Sequence, residues 1–381
     1  MFLVRTSSAS LSTYFYRMDT TAHSLQPAAS VISEIGTPLG TSALPIVANP
    51  KAPSNWLSTF TPRRGLTNGH AQTIVGDVYP RSAFRLASST DEIVVDPRDN
   101  SRVLCHCHWQ PGSDTGSRLT VVLVHGLEGS SDSRYIQGIA TRAWNAGWNV
   151  VRMNMRNCGG TDALTPTLYH SGLSEDVGAV VEHYTRLKNL EHVALIGYSM
   201  GGNLALKLAG EWGARTPLCA VATVCPAIDL AVSSDALHTP RNRFYEWHFL
   251  RRLLRRYKTK AALFPDIYST ADLASIRSLR DFDDKIVARY CDFRDSSDYY
   301  YRAAAARVLD GIAVPTLVLR ALDDPFIRLT QETRETLLAN RQITLVETPH
   351  GGHCAFLSTG KGMEVHWAEA AVIRYLQEVA A

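Results

Sequence analysis

Residues 197–202 read Gly-Tyr-Ser-Met-Gly-Gly, a hydroxyl with glycine two places before it and two places after. This spacing suits a nucleophile on a sharp strand-to-helix turn. The glycines leave room for crowded backbone, and the helix that follows presents its N-terminal amides to a developing oxyanion. The chemistry would be attack of Ser199 on an acyl carbon. A serine hydroxyl needs a general base for this, and the base needs an orienting carboxylate.

With such a turn the order along the chain is serine, acid, histidine. Three histidines follow the late apolar run at 316–320: His350, His353 and His366. His366 falls inside the predicted last helix, where packing or solvation is its expected role. His350 and His353 share Pro349-His350-Gly351-Gly352-His353, directly after the apolar run 343–347. His353 is the preferred base, because the glycines before it free the chain to turn it inward. His350 is the alternative. The acid is sought after the preceding run, in Asp323-Asp324-Pro325. Asp324, beside the turn-setting proline, is preferred, and Asp323 would then serve the turn or cap it. His353 would take the Ser199 proton and later protonate the leaving alcohol, and water would hydrolyse the acyl-enzyme. The backbone N–H groups of Met200 and Leu127, the latter in His125-Gly126-Leu127-Glu128-Gly129, are the expected oxyanion donors.

These residues need a scaffold that brings distant loops together. The runs at 119–124, 149–155, 192–196 and 219–224 read as strands, and they alternate with helical segments at 134–146, 173–187 and 203–212. The continuous apolar run at 119–124 suggests burial on both faces, and the strand–helix alternation a parallel sheet built of βαβ units. Two neighbouring strands precede them at 92–96 and 103–109. Residues 226–308 break the rhythm with a mainly helical, Arg- and Tyr-rich stretch. Alternation then resumes with strands at 316–320 and 343–347 and helices at 329–339 and 363–379. This predicts one α/β domain over 56–381, with a mostly parallel sheet, helices on both faces and a helical cap inserted at 226–308. The cap would lie over the strands' C-terminal edge, where open α/β sheets bind ligands. Residues 1–55, rich in Ser, Thr, Ala and Pro, read as a flexible extension.

A formal charge of +3 on 381 residues gives no field that argues for nucleic acid. The seven cysteines lack the dense spacing of a secreted disulfide framework. They read as thiols in a reducing, cytoplasmic setting. Residues 1–17 carry Arg5 and Arg17 and no acid. An unstructured tail and a true start at Met18 are the readings set against an organellar transit peptide. No apolar run of about 20 residues is present to span a bilayer.

Several segments match a known family in order. They include Asn68-Gly69-His70-Ala71-Gln72-Thr73, His125–Ser130, Asn154–Gly159, Leu168–Gly172, the Gly197–Gly202 turn, Arg280–Asp283, Ala321–Phe326 and Gly351-Gly352-His353. On these the chain resembles the YheT-like family of α/β-hydrolases. The resemblance implies esterase or lipase activity on a small acyl ester, the triad Ser199, Asp324 and His353, and no metal or cofactor. The chain departs from it in lacking the N-terminal hydrophobic anchor of the family's membrane-attached members. It also has Asn157-Cys158 where Gly-Cys is usual. Acyl transfer, thioester cleavage by the same site, and a non-catalytic binding role are the rival readings.

Other residues invite chemistry less strongly. In Cys105-His106-Cys107-His108, strand alternation would send sulfurs and imidazoles to opposite faces, which splits a metal set. Cys158 has no evident base and reads as a packed thiol. Cys354 adjoins the proposed base. His70 is expected near the pocket, stabilising a loop or taking part in catalysis. The run Arg251–Lys258 is amphipathic, either a solvated helix face or a weak peripheral contact with anionic lipid.

Overall fold

The computed structural model describes residues 46–48, 56–81, 86, 88–112 and 114–380. The strands are β1 (Ile46–Ala48), β2 (Thr90–Val95), β3 (Arg102–His108), β4 (Thr120–Val124), β5 (Asn149–Met153), β6 (Val193–Tyr198), β7 (Leu218–Val224), β8 (Thr316–Ala321) and β9 (Ile343–Thr348). The helices are α1 (Gly69–Val78), α2 (Arg134–Asn145), α3 (Ser174–Glu182), α4 (Met200–Trp212), α5 (Leu230–Leu237), α6 (Arg243–Leu263), α7 (Leu279–Phe282), α8 (Ser296–Ala303), α9 (Gln331–Ala339) and α10 (Trp367–Val379).

The described strands form one sheet in the order β1-β9-β8-β7-β6-β4-β5-β3-β2. From β5 to β9 every neighbouring pair is parallel, while β1, β2 and β3 pair antiparallel at the two margins. Every residue of β4, β5, β6 and β9 is buried. Both sheet faces are therefore covered, which explains why the central strands β4 and β6 are almost wholly apolar rather than alternating. Val121 and Leu123 pack on one face with Ile136 and Ile139 of α2 and Trp367 and Tyr375 of α10. Val122 and Val124 pack on the other with Val177 and Val180 of α3 and Leu204 and Leu208 of α4. Each such side chain contributes about 1.5–3 kcal/mol by leaving water.

The strand order places the site. Chain direction across the sheet reverses at β4, whose neighbours are β5 and β6, so the loops after β4 and β6 open side by side at the C-terminal edge. The loops after β8 and β9 open at the same edge. Between β7 and β8 the chain forms α5 to α8 and short connecting turns.

Three differences from the sequence expectation stand out beyond shifts of a few residues at other element ends. Ile46–Ala48, within the stretch read as flexible, pairs antiparallel with β9; the rest of residues 1–55, including the transit-like 1–17, lies outside the described residues. Helix α4 begins at Met200, directly after Ser199, not at 203. Helix α10 begins at Trp367, which leaves His366 as its buried N-cap rather than an interior residue. Helix α1 had no sequence expectation at all.

Candidate active site

Ser199 occupies the elbow between β6 and α4 with φ 53° and ψ −117°. A non-glycine residue there is strained by roughly 1–3 kcal/mol, and the surrounding packing must hold it. The glycines make that possible. A Cβ on Gly197 would lie 2.4 Å from the Gly201 carbonyl oxygen, and one on Gly201 would lie 2.3 Å from that of Val124.

His353 Nε2 lies 3.0 Å from Ser199 Oγ, and His353 Nδ1 lies 2.7 Å from Asp324 Oδ2. With Nδ1–H donating to the carboxylate, Nε2 is free to accept the serine proton. Asp324 is held in turn: its Oδ1 accepts the amides of Phe326 at 3.1 Å and Ile327 at 2.9 Å. Burial alone would lift the Asp324 carboxyl, but the His353 charge, its hydrogen bond and the two amides hold it below its ordinary value. Burial alone would depress His353. The Asp324 charge and hydrogen bond outweigh it, the Cys225 contact adds, and the imidazole sits above its ordinary value. The Phe326 ring packs on the imidazole with centroids 4.5 Å apart.

The alternatives have other places. Asp323 Oδ1 accepts the Gly352 amide at 2.8 Å, which ties the acid loop to the histidine loop. His350 Nδ1 lies 3.5 Å from Asp323 Oδ2, and no contact joins it to Ser199 among the described residues.

The loop after β4 is fixed from several sides. His125 is fully buried, its Nδ1 bonded to the Gly126 carbonyl at 2.8 Å and its Nε2 accepting the Met155 amide at 3.1 Å. Only a neutral ring does both, and burial pushes its pKa down to about 4. Tyr135 Oη accepts the Gly126 amide at 2.8 Å. Glu128, at φ 57° and buried, binds Arg256 Nε at 2.7 Å and Tyr169 Oη at 2.7 Å. Its carbonyl accepts Arg252 Nη2 at 2.6 Å. Two of the arginines in the run 251–258 therefore anchor α6 to this loop, while Arg251, Arg255 and Lys258 face outward.

Leu127, Ser199 and Met200 line a cavity of about 140 Å³, walled by Phe249, Leu253, Tyr257, Phe282 and Phe326. The amides of Leu127 and Met200 make no hydrogen bond among the described residues. Asp283 also lines the cavity; its Oδ2 accepts Tyr300 Oη at 2.6 Å, and burial pushes its carboxyl up to about 7.

The upstream segment 68–73 gains a physical role that sequence reasoning missed. Asn68 Oδ1 caps α1, accepting the amides of His70 at 3.0 Å and Ala71 at 3.2 Å. Gln72 exchanges hydrogen bonds with the backbone of Leu357, at 2.9 and 3.1 Å. Thr73 Oγ1 accepts the His353 amide at 2.8 Å. Gly69 sits so close to the acid loop that a Cβ would fall 1.8 Å from the Asp323 oxygen. His70 turns toward α6, its Nδ1 3.3 Å from Tyr245 Oη.

A family model described as the alpha/beta hydrolase fold matches residues 120–359. YheT of Escherichia coli strain K12 is 30% identical over 83% of this chain and 92% of its own. The chain belongs to the α/β-hydrolase family, among its YheT-like members. Phospholipase ABHD3 of Mus musculus is 32% identical over 64% of this chain, a match that spans 60% of the mouse protein. Among solved structures, the Pyrococcus furiosus esterase Pf2001 aligns with a TM-score of 0.51 at 15% identity, over 79% of this chain and 99% of that one. At that identity the likeness concerns the fold alone.

Outside the site, Cys105 and Cys107 are buried together, and Cys107 Sγ lies 3.0 Å from Tyr184 Oη. His106 points the other way, 2.6 Å from Asp91 Oδ1. Arg152 Nε reaches His108 Nε2 at 3.2 Å. Cys158 is buried beside the loop after β4. No helix among the described residues is long and apolar enough to cross a membrane.

Proposed function

We propose that this chain is a serine hydrolase that cleaves carboxylic esters, taking short- to medium-chain acyl esters or acylglycerols through an acyl-enzyme on Ser199. The observation that carries the reading is the unbroken relay from Ser199 Oγ through His353 to Asp324, at 3.0 and 2.7 Å. His353 Nε2 takes the serine proton as Oγ attacks the ester carbon. Asp324 holds the tautomer and stabilises the imidazolium. The unpaired amides of Met200 and Leu127 receive the oxyanion, a donor role typically worth about 10²–10³ in turnover. The imidazolium then protonates the leaving alcohol, and a water activated by the same ring hydrolyses the acyl-enzyme.

The apolar wall beside Ser199 suits an acyl chain, and the helical segment 226–308 that supplies most of it is the cap. A non-catalytic binding role fits poorly with a complete relay under a strained nucleophile. The outer face of α6 supplies the weak membrane contact: Phe244, Trp247, Arg251, Arg255 and Lys258 are exposed there, a mix suited to an anionic interface.

The test is hydrolysis of a p-nitrophenyl acyl ester series by the full chain and by Ser199→Ala. The variant is expected to lose roughly 10⁴-fold or more of kcat. Unchanged turnover in Ser199→Ala would remove the proposal.

A further inference from the structure

Two thiols flank the catalytic imidazole on the side away from its carboxylate. Cys225 directly follows β7, and Cys354 directly follows His353. Both hold left-handed backbone, at φ 46° and 59°, where a side chain larger than hydrogen is disfavoured. Cys354 Sγ lies 3.7 Å from His353 Nε2. Cys225 Sγ accepts the Cys354 amide at 3.4 Å and lies 3.6 Å from the Gly352 carbonyl. The two sulfurs and a ring nitrogen of His353 all lie within 4.8 Å of one another.

We infer that Cys225, His353 and Cys354 form an inhibitory binding site for a soft divalent cation of the zinc type. A tetrahedral zinc site takes bonds of about 2.0–2.3 Å, which sets its ligand atoms roughly 3.3–3.8 Å apart. The present spacing is within about 1 Å of that, a side-chain adjustment. Ser199 Oγ, 3.0 Å from Nε2, or a water stands at the fourth position. The second shell is already in place, because Asp324 accepts Nδ1–H and so directs the Nε2 lone pair outward, the arrangement that orients metal-bound histidines. Charge also balances. Zn²⁺ displaces one proton from each thiol, so two thiols become two thiolates, two protons leave, and the buried cluster keeps its net charge. Thiolate and imidazole donors select zinc or cadmium over magnesium and calcium.

The inhibition rests on reading His353 as the general base, since the cation would hold the lone pair that must accept the serine proton. The binding itself does not rest on that reading. The closing experiment therefore separates them. Equilibrium dialysis against micromolar free Zn²⁺ is run on the full chain, on Ser199→Ala and on the double variant Cys225→Ala/Cys354→Ala. One zinc per chain is expected in the first two, with binding at least tenfold weaker in the double variant. The metal-free double variant is expected to keep the parent's circular dichroism spectrum and a cooperative thermal transition, which shows that it folds. Zinc is expected to lower parental turnover at least tenfold, reversibly by chelator, and Mg²⁺ is expected to do nothing. A parent that retains no zinc, a double variant that retains it equally, or zinc-loaded parent with full turnover would each overturn the inference. Loss of turnover in metal-free Ser199→Ala speaks to the catalytic reading alone.

Discussion

The hydroxyl of Thr73 accepts the backbone N–H of His353 at 2.8 Å, across 280 residues of chain. The same hydroxyl donates to the Gly69 carbonyl at 2.7 Å, so one turn of α1 is locked to the loop that carries His353. Thr73→Val keeps the shape and removes both bonds. It is expected to lower kcat roughly tenfold with KM nearly unchanged, because small displacements of a catalytic group are costly. Thr73→Ser should restore most of the loss. Steady-state kinetics on a p-nitrophenyl ester decides it.

The two adjacent aspartates should separate cleanly. Asp324→Asn leaves the fold intact but presents an amide to His353 Nδ1, which favours the wrong tautomer. A loss of about 10⁴ in kcat is expected. Asp323→Asn alters the tether to the Gly352 amide and the contact with His350, and roughly a tenfold loss is the most expected of a displaced loop. Equal losses in the two variants would reassign the acid.

The pH profile carries a sign. Asp324 raises the His353 pKa above its ordinary value, and the base works only when neutral. The acid limb of kcat/KM should therefore have its midpoint above about 6.5, with activity lost as pH falls. For folding the sign is opposite. The raised pKa contributes stability that is fully present below about 6.5 and is lost as pH rises through the folded value. In a variant that keeps measurable turnover, Asp324→Asn should bring the acid limb down.

Arg256 joins α6 to the loop after β4 through the buried carboxylate of Glu128. Arg256→Met removes that carboxylate's closest cation, leaving Arg252 Nε at 3.8 Å and the Tyr169 hydroxyl, and is expected to destabilise the chain by roughly 1–3 kcal/mol in denaturant unfolding. Adding Glu128→Gln should recover part of the loss. Arg256→Lys should not, because a point charge cannot replace the fork that also reaches the Asn157 carbonyl.

The parts of this fold that were legible in the sequence are those set by local pattern. Uniformly apolar strands, the glycine-spaced Ser199 turn and the strand-then-loop order of Asp324 and His353 announce themselves within a few residues. Helix α1 did not. Gly69 at its start weakens the helical pattern, yet glycine is required there because the Asp323 oxygen leaves no room for a Cβ. The polarity of Gln72 is unremarkable in sequence and becomes meaningful only when Leu357 arrives from 285 residues away. The pair Arg252 and Arg256, which reaches Glu128, is likewise indistinguishable by composition from Arg251 and Arg255. Its partner Glu128 lies on a different loop. Thiols next to a base are visible for Cys354, which is adjacent in sequence, and invisible for Cys225, which comes from another strand's end.

The most direct measurement is the site and rate of labelling by a fluorophosphonate, located by peptide mass spectrometry in the full chain and in His353→Ala. One adduct per chain on Ser199 is expected, formed at least a hundredfold more slowly in His353→Ala, since general-base assistance is typically worth about 10²–10⁴. An adduct on another residue, or undiminished labelling without the imidazole, would contradict the assignment of Ser199 and His353 as nucleophile and base.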